Sequence, residues 1–207
     1  MKVPRGTTGE RPFDVYVTLN GTGLRVVTLA VGGRVRFGTG DDEVLVVPLL
    51  GGCDVACDDE RMTLTGRRSV FARGTDVAYL PRGTTATLRA PNGGRFALPA
   101  ARAGRDLPFR YGAAEDTPDT FATDRLIARE VLVPGGSRSP DENGPGEIRY
   151  YEVTSGHGYQ LVHGSPIEVR TGDVVLLPEC APAVAAPGHD LYHLSVRVGQ
   201  FSGMTST

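Results

Sequence analysis

The chain has 207 residues, a formal charge of −2, 28 Gly and 15 Pro, and no Trp. A balance this close to neutral excludes the broad electrostatic attraction that draws basic proteins to nucleic acid or anionic membrane. No stretch approaches the roughly 20 apolar residues of a membrane-spanning helix, and the length suits one large all-β domain or two of about 100 residues each. The expected partner is therefore a small molecule. Cys53, Cys57 and Cys180 are an odd number and define no disulfide framework. Cys53 and Cys57 lack the second Cys/His pair of a metal site and read as reduced residues in or beside a strand. With no apolar secretion segment at the start, the chain is expected in the cytoplasm.

In chain order, strand signals run over Phe13–Leu19, Arg25–Ala30, Glu43–Leu50, Met62–Leu64, Ser69–Phe71, Val77–Leu80, Ala86–Ala90 and Gly94–Leu98, with Gly, Asp and Pro between them. Ala113–Thr123 is polar, broken by Pro, and reads as a linker. Further strands follow at Asp124–Val133, Glu147–Val153, Asp173–Pro178 and Leu191–Val196. No window sustains a 3.6-residue apolar period, and the nearest, Leu98–Arg105, is too short for a helix. The chain also repeats itself. A strand ending in glycine, a second ending in Leu-Pro and a third opened by a Pro/Gly turn occur at Glu43–Gly52, Tyr79–Pro81 and Ala90–Leu98. The same set recurs at Glu147–Gly156, Asp173–Pro178 and Ala186–Leu194. Duplication of this kind predicts an all-β chain of two tandem cupin-type jelly-roll barrels: residues 1–112, a linker 113–123, and residues 124–207.

Several segments are specific enough to compare. They are Val47–Cys53, Arg68–Phe71, Thr75–Gly83, Arg110–Asp116, Asp124–Ile127, Val133–Gly136, Glu147–Val153 and Val184–Tyr192. In this order they resemble the bicupin family of 5-deoxyglucuronate isomerase, over roughly residues 25 to 199. The resemblance implies an aldose–ketose isomerisation in inositol breakdown and a divalent metal in the C-terminal barrel. The departures fall on that metal. Family members carry two metal-binding histidines after Pro-Gly-Gly, whereas Pro134–Glu147 here is shortened and holds neither. A further family histidine is replaced by Pro182, and the basic stretch between the halves is missing. Only Glu147 keeps a ligand position, and one carboxylate cannot hold a divalent ion. No metal and no cofactor are expected.

Alternation on the strand from Glu147 puts Glu147, Arg149 and Tyr151 on one face. Two readings of Arg149 stay open: its guanidinium binds an anionic group bidentately where the metal would sit, or it pairs with Glu147 and fills the hole. His193, whose free pKa lies near neutrality, is the candidate general acid or base. Glu147, Arg149, Tyr151 and His193 form the candidate catalytic set, with Arg149, Tyr159 and His163 as candidate substrate contacts. There is no Gly-x-Ser-x-Gly elbow and no phosphate loop, Lys2 being the only lysine. The Arg67–Arg68 pair reads as a solvated turn. Three functions follow: a diverged, metal-free isomerase-like or lyase-like enzyme acting by acid–base chemistry on a small polar or anionic metabolite, with specialised metabolism as one setting; a genuine 5-deoxyglucuronate isomerase; or a non-catalytic binding or scaffold subunit. A homodimer or a heteromeric partner remains open for any of them.

Overall fold

The computed structural model describes residues 1–6, 13–72, 74–116, 119–140 and 144–199. Residues 117–118 of the linker and 141–143 of the shortened loop lie outside them. The described residues form strands and no helix: β1 (Lys2–Val3), β2 (Val15–Leu19), β3 (Thr22–Leu29), β4 (Gly33–Gly38), β5 (Asp42–Cys57), β6 (Glu60–Arg67), β7 (Val77–Leu80), β8 (Thr85–Ala90) and β9 (Gly94–Arg102). The chain continues with β10 (Arg110–Gly112), β11 (Thr120–Ala122), β12 (Leu126–Val133), β13 (Pro145–Val153), β14 (Gly158–Val162), β15 (Ser165–Val169), β16 (Val174–Glu179), β17 (Ala183–Ala185) and β18 (Leu191–Val198).

Pairing stays almost wholly within each half. The first half builds a sheet ordered β10-β7-β5-β9-β3-β2, from which β5 continues into pairing with β6 and β8, and β8 with β4. The second builds β1-β16-β13-β18-β12-β11 and a small sheet β15-β14-β17. Lys2 and Val3, grouped with the first half on sequence grounds, pair instead with Val175 and Val174 of the second. Thr120–Ala122 pairs with β12, so the end of the linker is an edge strand. Ser69–Phe71 is a turn rather than a strand. The Ala72 amide bonds the Ser69 carbonyl, and the Ser69 hydroxyl accepts from the Phe71 amide.

The long β5 serves two sheets because it is bulged at Pro48/Leu50 and again at Gly51/Cys53. Gly66 makes the second crossing feasible. It has φ 63°, and a Cβ there would lie 1.9 Å from the Gly51 carbonyl oxygen.

Alternation along the strands creates three apolar cores. Val27, Val44, Val46, Phe96 and Leu98 fill the first barrel, and Tyr151, Val153, Val175, Leu177 and Leu191 belong to the second. The other faces of the same strands meet between them, where Leu24, Val26, Leu45 and Val47 pack against Ile148, Tyr150, Leu194 and Val196. Cys53 and Cys57 sit in the first core as free thiols, and burial pushes Cys53 up to about 12, far from a reactive thiolate.

Charges buried at this junction are paired. Arg67, only 4% exposed, ion-pairs with Glu130 and donates to the Pro48 carbonyl, while the Tyr192 hydroxyl donates to Glu130 at 2.6 Å. The reading of Arg67 as a solvated turn residue is thus corrected; Arg68 alone is exposed. Arg95 pairs with Glu152 at 2.7 Å. Glu43 accepts from the amides of Arg125 and Leu126 and from the hydroxyls of Thr123 and Tyr79, tying the second half's first strand to β5. Removing one partner of a buried pair strands the other charge. Arg67→Met is therefore expected to cost about 3–5 kcal/mol, read in urea unfolding as a lower midpoint, with Glu130→Gln restoring part of the loss in the double variant. A loss below about 1 kcal/mol would show that the pair does not join the halves.

Candidate functional site

The interior face of the second barrel is laid out by strand register. Across β13, β18 and β12, Arg149 faces Ser195 and Ser195 faces Arg129, while in the next row Tyr151 faces His193 and His193 faces Val131. Glu147, two residues before Arg149 on β13, points into the same interior, as expected from alternation. Glu147, Arg149, Tyr151 and His193 are each no more than 2% exposed.

Arg149 is held from both sides. Its Nε and Nη2 donate to Glu147 Oε1, and its Nη1 donates to Gln160 Oε1 at 2.9 Å and to the Ala181 carbonyl. Tyr151 donates its hydroxyl to Gln160 Oε1 at 2.6 Å. The Gln160 amide nitrogen in turn donates to the carbonyls of Leu161, Ala181 and Pro182. Gln160 is the hub of this network and was not singled out from sequence. The available signal was its in-facing parity on β14 two residues after Gly158.

Of the two readings of Arg149, the structure shows the pair with Glu147. Both edges of the guanidinium are engaged by protein acceptors. The two further candidate contacts, Tyr159 and His163, stand outside this network. Tyr159 lies on the opposite face of β14 from Gln160 and bonds His157 at 2.8 Å. His163 stands on the β14–β15 turn with φ 48°, its side chain 71% exposed and 3.4 Å from Glu179.

Two buried polar atoms among the described residues have no hydrogen-bond partner at this site: Glu147 Oε2 and His193 Nε2. The other ring nitrogen of His193, Nδ1, faces Ser195 Oγ at 3.4 Å. Burial first, then the positive charges of Arg149 and Arg129, hold the His193 pKa well below its ordinary 6.5, so the ring is neutral near pH 7. Burial pushes the Tyr151 phenol well up, only partly offset by Arg149, so it stays protonated.

These residues do not suit a divalent metal. No group of three or more His, Cys, Asp or Glu comes together among the described residues, and the carboxylate that would serve as ligand already carries a guanidinium on Oε1. The segment that follows Pro-Gly-Gly runs along β17 instead. There the Ser139 amide donates to the Ala183 carbonyl, the Ala183 amide to Ser139 Oγ, and Arg138 bridges Val184.

The fold is that of cupin-type jelly rolls. A conserved-barrel cupin protein from Leptotrichia buccalis superimposes with a TM-score of 0.57 at 14% identity, covering 93% of this chain and 92% of that one. An IolB-like protein from Salmonella typhimurium superimposes with a TM-score of 0.85 at 20% identity, over 97% and 93%. The KduI/IolB family model matches residues 13–133, and the chain belongs to that family. Among curated relatives, the 5-deoxy-glucuronate isomerase of Geobacillus kaustophilus is 26% identical over 218 aligned positions, covering 86% of this chain and 79% of the relative.

A depressed histidine pKa has a definite sign. The unfolded chain takes up a proton as pH falls through about 6.5 and the folded barrel does not, so the stabilisation is full above that pH and lost below it. Between pH 7.5 and 5, wild type is expected to lose stability more steeply than His193→Gln, by up to about 1.4 kcal/mol per pH unit. Parallel urea-derived curves would show that His193 is not held neutral by the fold.

Proposed function

We propose that the second barrel is an acid–base site of isomerase type acting on a small sugar-like metabolite, and that it works without a metal. The observation supporting it is the pair of buried, unpartnered atoms Glu147 Oε2 and His193 Nε2 in an interior where neighbouring polar atoms are bonded. Orphan atoms of this kind call for a reason, and a catalytic role is one of them.

His193 is the base. With the Nδ1 hydrogen directed at Ser195, Nε2 carries a lone pair and can remove a proton from the carbon beside a carbonyl and return it to the carbonyl carbon, while the proton of the adjoining hydroxyl passes to the former carbonyl oxygen. No atom is gained or lost in that exchange. Glu147 Oε2 accepts a hydrogen bond from a substrate hydroxyl. Arg149 holds Glu147 in place, and contributes fixed positive charge that favours a developing enediolate. Tyr151 and Gln160 position Arg149 and take no part in the proton transfer. The name of the Geobacillus relative makes a uronic-acid aldose the first substrate to offer.

A second reading, a non-catalytic binding or scaffold subunit, draws on a different observation: Arg149, Gln160 and Tyr151 fill the interior, and none is more than 2% exposed. Deuterium exchange distinguishes the two. With 5-deoxyglucuronate and a panel of aldoses and uronic acids in D2O, wild type is expected to wash deuterium into the carbon beside the carbonyl, detected by NMR. His193→Gln should slow this by about 10²-fold or more, Glu147→Gln should slow it less, and EDTA treatment should leave it unchanged. Absence of exchange across the panel would remove the enzymatic reading and favour the scaffold. Loss on chelation, restored by a divalent ion, would return the metal-dependent mechanism.

A further inference from the structure

We propose that the first barrel binds a small planar anion, an aromatic carboxylate, in the concavity where β5 crosses between sheets, with Arg68 meeting the carboxylate. The site lies in the half of the molecule that takes no part in the proton transfer described above, so neither reading depends on the other.

The strands leave this space open for a backbone reason. Leu29 on β3 pairs with Gly94 on β9, the next residue Arg95 pairs with Leu50 on β5, and Gly51 pairs with Arg67 on β6. Two bulges along β5 bring these backbones close. A Cβ at Gly51 would lie 2.6 Å from the Gly93 carbonyl oxygen, and one at Gly94 would lie 2.6 Å from that of Leu50. At Gly52 it would lie 2.4 Å from the Leu64 carbonyl oxygen. Only glycine fits these positions, and glycine leaves bare backbone where side chains would otherwise stand. Gly51, Gly52, Gly93 and Gly94 accordingly line a cavity of about 940 Å³, within the range of small-ligand pockets.

The rest of the lining is mainly apolar. Five large hydrophobic side chains are exposed among the described residues, and two of them, Val31 at 79% and Leu50 at 43%, meet at this cavity. Apolar surface left in water around a concavity is the mark of a binding groove. Bare peptide planes also admit a flat ring to close contact over its whole face, whereas a puckered ring of the same size touches at fewer points.

The charge is of one sign. Arg67 and Arg68 line the cavity and no carboxylate does. Arg67 is spent on Glu130, but Arg68 is exposed and its guanidinium has no hydrogen bond or ion pair among the described residues. Asp76, which accepts from the Thr65 and Gly66 amides, is 4% exposed and stays outside the lining. A free guanidinium suits a carboxylate because its planar fork can meet both oxygens at once. Asn92, also exposed in the lining, adds a neutral donor and acceptor.

The test is titration of the full chain with naphthoate, with neutral naphthamide and with the saturated decalin carboxylate, followed by calorimetry and amide proton–nitrogen NMR. Naphthoate is expected to bind about tenfold tighter than naphthamide, to bind tighter than decalin carboxylate, and to move the amide signals of Gly51, Gly52, Gly93 and Gly94. Arg68→Met should erase the margin over naphthamide, and Arg68→Lys should keep part of it. Val31→Glu should weaken naphthoate through repulsion and loss of apolar contact. Circular dichroism and melting temperature establish that each variant is folded. His193→Gln should bind naphthoate like wild type, so this result and the deuterium-exchange result are read separately. Naphthoate binding that matches naphthamide, or that ignores Arg68→Met, would overturn the proposal. So would equal binding of decalin carboxylate, signal changes confined to the second barrel, or no binding of any probe at millimolar concentration.

Discussion

A strand buried on both faces can carry a charged side chain only where a partner waits for it. That constraint governs this molecule, because the two central sheets each have one face in a barrel and the other against the neighbouring barrel. Transfer of an isolated charge into such a place costs several kcal/mol even after relaxation. Four sets of buried charges on these sheets show it: Arg67 with Glu130, Arg95 with Glu152, Arg149 with Glu147, and Glu43 with two amides and two hydroxyls. Three of the four sets bridge the halves of the chain. The fourth lies within one strand, between residues two apart, and contributes nothing to joining the barrels. Its place at the centre of the second barrel therefore asks for a different reason than assembly.

That reason is chemical as well as structural. A divalent ion and a guanidinium both put positive charge next to the same carboxylate, but they leave different valences open. A metal leaves coordination sites that a substrate can enter, whereas Arg149 spends its donors on Glu147, Gln160 and Ala181. What remains available is one carboxylate oxygen and one imidazole nitrogen. Charge that does not bind can still act: Arg149 helps to keep His193 unprotonated, and a neutral imidazole is the form that removes a proton. On the proposed reading, substitution at the ligand positions moves the available chemistry from Lewis-acid polarisation toward proton transfer.

The parts legible in the sequence were those governed by local periodicity. The shared face of Glu147, Arg149 and Tyr151, and that of Leu191, His193 and Ser195, follow from a period of two along strands that run without a bulge. The parts that were not legible depend on distant partners. Arg67 follows a glycine and precedes another arginine, as a turn residue would, yet the strand continues and its partner Glu130 is 63 positions away. Gln160 sits in a five-residue strand led by glycine, too short and polar to announce a burial direction. Ser69–Phe71 has the composition of a strand, but Val70 meets its core from a turn.

Burial and function are reconciled by where the second barrel is thin. On β13 the interior residues are backed by a neighbouring strand on either side and by the first barrel behind. On β12 the ladder with β11 ends at Glu130, so the row holding Val131 and His193 lies one strand from the edge of the sheet. Displacing Val131 and Leu132 disturbs one half-buried and one exposed side chain, and leaves the paired charges of the junction in place. Any motion that exposed Glu147 from the β16 side would instead have to part β13 from β16, breaking their shared ladder and the β1 pairing beyond it. Between these routes the smaller disruption lies at the β12 edge. On the proposed reading, a base reached across one aliphatic side chain would be shielded from water at rest and accessible after a local opening, as proton abstraction next to a carbonyl requires.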